Sequence, residues 1–417
     1  MPAINPQRLL DDLRRLRTFG AQGNGVVRLA LSPADIESRR WLAKRLTEAG
    51  LDARIDGIGT VFGRSRAKGK ALLIGSHTDT QPTGGWLDGA MGVIYGLEIA
   101  RAFRESPDSR DLAVDVASWM DEEGTYAGFI GSRSFCGEPV AGIVARARNR
   151  EGQPMSEAIR AAGLADQPLA RMEAGRYAAY LEPHIEQGGR LEAAGKRIGV
   201  VTTIVGIREL RIAFRGQQNH AGTTPMDIRR DAGAALIRFA AALQSEFRAL
   251  AGPQTVWNIG RVEFTPGSAS IVPGHAEMVL QFRDPEAARL DALETKVATL
   301  VESANAAGPV GVSVAPFDDP VAPTVMNAEL QTHIARAAEQ HAPGAWMRMA
   351  SAAGHDAQVL AGRLPCGMLF VPSIAGISHD FAEDTSEDDI VLGCQVAAAA
   401  ALSILRDGIA KAQGGAA

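Results

Sequence analysis

Uninterrupted apolar runs alternate with helical periodicity over the first half of this chain. Residues 71–76 (ALLIGS) form a short apolar run that predicts a buried parallel strand, and 111–120 (DLAVDVASWM) predicts a second buried strand. The segment 91–105 (MGVIYGLEIARAFRE) reads as the helix between them. Ser32 and Pro33 make a cap and first-turn pair for a helix over 32–49. The opening MPAINPQRLLDDLRRLRTFG spaces its leucines as an amphipathic helix and has no secretory apolar core. The texture changes after about residue 206. Strand patterns fall near 208–215, 257–264 and 276–283, with helical patterns over 227–249 and 285–304. VAPTVMNAEL (321–330) marks a return to the first texture, followed by an apolar strand at 366–371. The apolar stretch 391–405 is short of the roughly 20 residues a bilayer span needs and predicts an alanine-rich buried helix. The final AQGGAA reads as a disordered tail.

These patterns divide the chain into residues 1–206, an insertion over 207–324, and 325–417. The fold class expected is α/β: a large domain with a mixed sheet flanked by helices, interrupted by a smaller α+β layer. A length of 417 residues suits two domains better than one core. Apolar content of 46% and charged content of 22% are those of a globular protein, and a net charge of −5 leaves no basic footprint for nucleic acid. No membrane role is expected. Three separated cysteines, Cys136, Cys366 and Cys394, suggest reduced thiols and a cytoplasmic home.

The polar residues at the strand ends change the picture further. His77 and Asp79 follow the first apolar strand, at the edge where open α/β sheets place ligands. A carboxylate behind an imidazole fixes its tautomer and raises its basicity, a common metal-ligand arrangement. Asp88, in a glycine-flanked loop nine positions after Asp79, can return a second carboxylate to the same place. The second strand ends in Asp121, Glu122, Glu123 and Gly124. Successive side chains alternate in direction, so one glutamate can bind metal while its neighbour serves as general base. Either cluster alone could be a solvated turn. Together they point to metal-assisted chemistry.

These segments, with LEPHIEQGGRLE (181–192), NHAGTTPMDIRRDA (219–232), SAAGHDA (351–357) and PSIAGISHDFAE (372–383), resemble the hydantoinase/carbamoylase branch of the M20 dinuclear metallohydrolases. That branch includes N-carbamoyl-L-amino acid hydrolases, allantoate amidohydrolases and β-ureidopropionases. The resemblance implies that His77, Asp88, Glu123, His184 and His379 bind two divalent ions, Zn²⁺ or Mn²⁺ with Co²⁺ or Ni²⁺ as alternatives, and that Asp88 bridges them. It implies that Glu122 is the general base and that Asp79 supports His77. Gln187, Arg283 and Ser270 occupy substrate-contacting positions, Arg283 as the guanidinium fork for a substrate carboxylate. His220 matches a histidine that acts in the partner's site of a homodimer and steadies the developing oxyanion. His355 and Asp356 are expected to brace the site from behind. The inserted layer is expected to act as lid and dimerisation domain.

Two positions depart from the family's pattern. Tyr126 stands where an arginine is usual, and Ser270 where an asparagine is usual. A hydroxyl cannot copy an amide's donor and acceptor, so the specificity shell differs although the metal machinery is retained. The function expected is a dinuclear amidohydrolase that cleaves a linear C–N bond in a small N-carbamoyl or N-acyl amino acid. Allantoate, a β-ureido acid, M20-type peptidase activity and a non-catalytic metal-stabilised binding dimer are the alternatives. His184 favours the amidohydrolase branch over peptidases, and Glu122 favours catalysis over binding alone.

Overall fold

The structure, a computed structural model, describes residues 2–409. The AQGGAA segment lies outside them. The chain forms two compact units, one built from residues up to Thr202 and from Met326 onward, the other from Thr203–Val325.

The larger unit is organised around a mixed sheet. Seven of its nine strands run in the order Ile198–Ile204, Cys366–Val371, Tyr177–Ile185, Ala71–His77, Ala113–Trp119, Val61–Arg64 and Asp52–Ile55. The four from 366–371 to 113–119 are mutually parallel, while 198–204, 61–64 and 52–55 pair antiparallel. Ala71–His77 and Ala113–Trp119 are buried at every position, which explains their lack of polar alternation. Their register places His77 beside Trp119, and Phe370 beside His184. The parallel strands therefore deliver their carboxyl ends, with the acidic turn at 121–123, to one edge.

Helices pack on this sheet. Ala90–Glu105 is buried from Ala90 to Phe103, which accounts for its almost unbroken apolar sequence. Pro33–Glu48 is capped by the Ser32 hydroxyl, which accepts the Asp35 N–H. The helix Pro6–Arg17 is capped in the same way by Asn5 and buries Leu9, Leu10, Leu13 and Leu16. Glu387–Asp407 is long and apolar enough, by length and composition, to cross a membrane. It extends beyond the apolar run at 391–405 because Ser386 caps it and three acids fill its first turn. Ile390, Val396, Ala400 and Ile404 lie fully buried in the main core, which makes it a core helix here.

The smaller unit has a four-stranded antiparallel sheet in the order Val256–Thr265, His275–Asp284, Gly206–Arg215 and Gly311–Pro316. Helices Ala232–Leu250 and Ala287–Ala307 share a core with it, in which Phe214, Phe247, Phe282, Leu293 and Val297 are buried. The helical pattern read from residue 227 begins later, at Ala232. Asp231 caps it by accepting the Ala234 N–H, and 226–228 form a separate 3₁₀ turn. A two-residue ladder pairs Asn219–His220 with Ile271–Val272.

Candidate active site

Six site residues of the larger unit converge at the strand ends. His77 is the last residue of its strand. Its Nδ1–H donates to the main-chain carbonyl of Asp79 at 3.0 Å, and the Nδ1–H of His184 donates to the carbonyl of Ile185 at 2.9 Å. A carbonyl only accepts, so both rings carry the proton on Nδ1 and leave Nε2 unprotonated; the His184 Nε2 accepts the Gly89 N–H at 3.1 Å. Those Nε2 atoms stand 3.8 and 3.2 Å from Asp88 Oδ1. The other oxygen of Asp88, Oδ2, lies 3.2 Å from His379 Nε2, which is also 3.7 Å from Glu123 Oε2. Two ligand groups result, His77–Asp88–His184 and Asp88–Glu123–His379, each with its donor atoms within 4.8 Å of one another. Asp88 belongs to both. Glu122 belongs to neither, with Oε2 3.6 Å from His77 Nε2.

The electrostatics of this cluster fit a cation. Asp88 Oδ1 and Glu123 Oε1 are buried without a hydrogen-bond partner among the described residues. Burial, followed by repulsion from Glu123, Asp356 and Asp88, pushes the Glu122 carboxyl well above its usual range. Burial and then the Asp88 charge raise Glu123 to about 8. Burial alone would raise Asp88 too, but the neighbouring rings of His184, His379 and His77 hold it well below its usual range. Burial lowers His77 to about 4, leaving it neutral at pH 7. Contact with Asp88 raises His379 to about 9 and, against burial, raises His184 as well. A neutral His77 and crowded carboxylates with idle lone pairs suit a divalent ion.

The part played by Asp79 differs from the sequence expectation. Its main-chain carbonyl orients His77, whereas its carboxylate turns away and accepts the Glu123 N–H at 3.2 Å. The carboxylate faces Arg39, 3.4 Å away. Asp79 thus braces His77 through its backbone and the Glu123 segment through its side chain.

Other expected residues lie as follows. Gln187 donates its amide N–H to Asp88 Oδ2 at 3.1 Å and has a positive φ of 58°. The His355 Nε2 pairs with the Ser351 hydroxyl at 2.8 Å, and its ring packs edge-on against His184 at 4.6 Å. That contact makes His355 a brace behind the ligand. His220, Ser270 and Arg283 belong to the smaller unit. There the His220 Nδ1 accepts the N–H groups of Gly222 and Thr223, and the Ala221 N–H donates to the Ser270 carbonyl, so these two expected residues share one exposed loop pair. Arg283 is half-buried and donates from Nε to Gln281 Oε1 at 2.9 Å.

Three residues at this site were not legible in the sequence. Arg39 is fully buried; it bonds the Asp35 carboxylate at 2.8 Å and gathers the carbonyls of Gly59, Ser118 and Trp119. Gln81 donates to Glu123 Oε2 at 2.7 Å. Glu383 accepts the N–H groups of Leu87 and Asp88 through Oε1 and the Ser378 hydroxyl through Oε2, clamping the Asp88 loop to the His379 loop. Gly85 is needed beside it, because a Cβ there would stand 1.9 Å from Glu383 Oε1. Gly89, at φ 64°, lies under the His77 ring, where a Cβ would meet Nε2 at 2.4 Å. An acid within the quoted SHDFAE motif was the one available signal for Glu383. Replacing it, Glu383→Ala, strands two buried N–H donors and should lower stability by about 2 kcal/mol in denaturant unfolding. An unchanged midpoint would show that the clamp contributes nothing.

The profile of Peptidase family M20/M25/M40 matches residues 73–403. An N-carbamoyl-L-amino-acid amidohydrolase of Paenarthrobacter aurescens is 34% identical over 94% of this chain and 96% of its own. Allantoate amidohydrolase of Escherichia coli K12 is 32% identical over 94% and 96%. A solved amidase of the hydantoinase/carbamoylase family from Burkholderia phymatum is 58% identical, covers 98% of this chain and 99% of that one, and superposes with a TM-score of 0.93. The chain belongs to the M20 family of metal-dependent hydrolases, in its hydantoinase/carbamoylase branch. It is an amidohydrolase of non-peptide C–N bonds, and the two groups around Asp88 are its candidate ligands for divalent metal.

Proposed function

We propose that the protein hydrolyses N-carbamoyl-L-amino acids, releasing ammonia, carbon dioxide and the free amino acid. The observation that supports this most directly is one carboxylate, Asp88, shared by two ligand groups, with an uncommitted carboxylate, Glu122, beside them. In this reading His77, Asp88 and His184 hold one divalent ion and Asp88, Glu123 and His379 a second, zinc or manganese by donor chemistry, with cobalt or nickel as alternatives. Such ions, when bound, acidify a water and polarise the scissile carbonyl. Glu122 accepts the proton of the attacking water and delivers it to the leaving nitrogen. Asp79 keeps His77 and the Glu123 segment in register, and Gln187 offers its amide to the substrate. Arg283 holds the substrate carboxylate, with Ser270 near it. His220 of the partner subunit donates to the oxyanion in a cytoplasmic homodimer, for which residues 207–324 serve as lid and dimerisation domain.

The test is a release assay on metal-reconstituted protein with N-carbamoyl, N-formyl and N-acetyl amino acids, β-ureidopropionate, allantoate and dipeptides. Turnover led by the N-carbamoyl-L-amino acids is expected; silence there with activity on another amide removes the carbamoylase reading. Arg283→Lys tests the carboxylate contact separately. It should raise KM about tenfold with little change in kcat, because a lysine cannot reproduce a two-pronged charged contact. An unchanged KM would take Arg283 out of the site.

A further inference from the structure

The larger unit contains a chamber of about 1000 Å³ bordered by Gln81 and Glu123, the glutamate that also lies 3.7 Å from His379. It is ample for a small-molecule substituent. Leu29, Ile36, Ala158 and Ala162 give its lining an apolar patch, beside the charged Glu37, Arg40, Arg150 and Glu151. Tyr126 packs against the same apolar cluster, and its hydroxyl donates to Gln153 Oε1, in the turn Asn149–Gln153, at 3.0 Å. The wall is preformed. The Asp121 carboxylate accepts the N–H groups of Thr125, Tyr126 and Ala127, fixing the backbone that carries the phenol. Asn149 closes its turn by accepting the N–H groups of Glu151 and Gln153 through its side chain. Glu123 therefore borders both a ligand group and a roomy space of mixed lining, and Tyr126 lines the same space.

We infer that this chamber is the subsite for the substrate's amino-acid side chain and that Tyr126 is a specificity-determining residue in its wall. The inference rests on the amidohydrolase reading above and narrows it. An apolar patch that includes an aromatic ring favours N-carbamoyl amino acids with aromatic or long aliphatic side chains. Allantoate, whose second ureido group carries only polar atoms, gains nothing from Leu29 and Ile36. Tyrosine in place of a guanidinium strengthens that bias, because it supplies a face for packing and removes a fixed charge.

The experiment compares kcat/KM for the N-carbamoyl derivatives of glycine, leucine and phenylalanine, and for allantoate, in the wild type, Ala161→Phe and Tyr126→Arg. Ala161 lines the chamber but is exposed, so a larger residue there fills space without entering the core. Wild-type protein should prefer the phenylalanine derivative to the glycine one by about tenfold or more, the scale on which a hydrophobic pocket discriminates. Both variants should reduce that ratio, and Tyr126→Arg should also raise the relative rate on allantoate. Equal ratios in all three proteins overturn the inference. Calorimetric titration of free L-phenylalanine and glycine into the metal-loaded wild type and Ala161→Phe separates it from the catalytic reading. Tighter phenylalanine binding that is lost in Ala161→Phe upholds the subsite even if no carbamoyl substrate turns over. Indifference to side chain in both rejects the subsite even if the carbamoyl amino acids are hydrolysed.

Discussion

Glu122→Gln should lower kcat by about 10³-fold while leaving the metal content of the purified protein unchanged. The substitution keeps the shape of the side chain and removes only its capacity to take a proton. Glu122 stands in neither ligand group, so metal content provides an internal control. Its carboxylate is buried beside Glu123, Asp88 and Asp356, and those neighbours push its proton affinity well up after burial has done so. Its place beside both ligand groups and in neither is where a base for the attacking water must stand. Elemental analysis alongside a rate measurement decides the assignment. Equal loss of metal and rate would move Glu122 into the ligand set and leave Glu123 as the candidate base.

The second large effect concerns Asp88. Because its two oxygens serve different groups, Asp88→Ala should weaken both, each by more than about 100-fold, the upper end of what losing a mere outer partner costs a metal site. His379→Ala should weaken only one group, since His77 and His184 retain Asp88. Competition of each apoprotein against a chelator of known affinity provides the comparison. The expected result is no tightly held ion in Asp88→Ala and one in His379→Ala. Two retained ions in Asp88→Ala would show that the aspartate does not bridge.

Much of this was legible in the chain because strand ends and caps are local. The runs at 71–76 and 111–120 became the buried strands that deliver His77 and the 121–123 turn, and Ser32–Pro33 opened the helix it announced. What was not legible depends on partners distant in sequence. Arg39 sits within an ordinary-looking helix, and its use is decided by the carbonyls of Ser118 and Trp119 on another strand. Glu383 acquires its role from backbone N–H groups at 87 and 88, which sequence letters do not display. Asp79 was read through its side chain, yet the contact to His77 is made by its carbonyl, a choice fixed by the buried Arg39 drawing the carboxylate the other way. The chamber beside Tyr126 combines residues from 29–40, 80–82, 123–126 and 149–162, none of which forms a motif alone.

The order of strands in the larger sheet carries a consequence for how this centre comes into being during synthesis. Tyr177–Ile185 and Ile198–Ile204 are near neighbours along the chain, but Cys366–Val371 lies between them in the sheet. The strand bearing His184 must wait, with one side unpaired, until the whole intervening insertion has been made. His379 and the Glu383 clamp emerge later still. Pairings of such long sequence separation are slow to form, because loop closure precedes any contact that rewards it. The two-group centre is therefore a property of the finished chain: a nascent polypeptide that stops before residue 379 can present His77, Asp88 and His184 but has no means of assembling the second group.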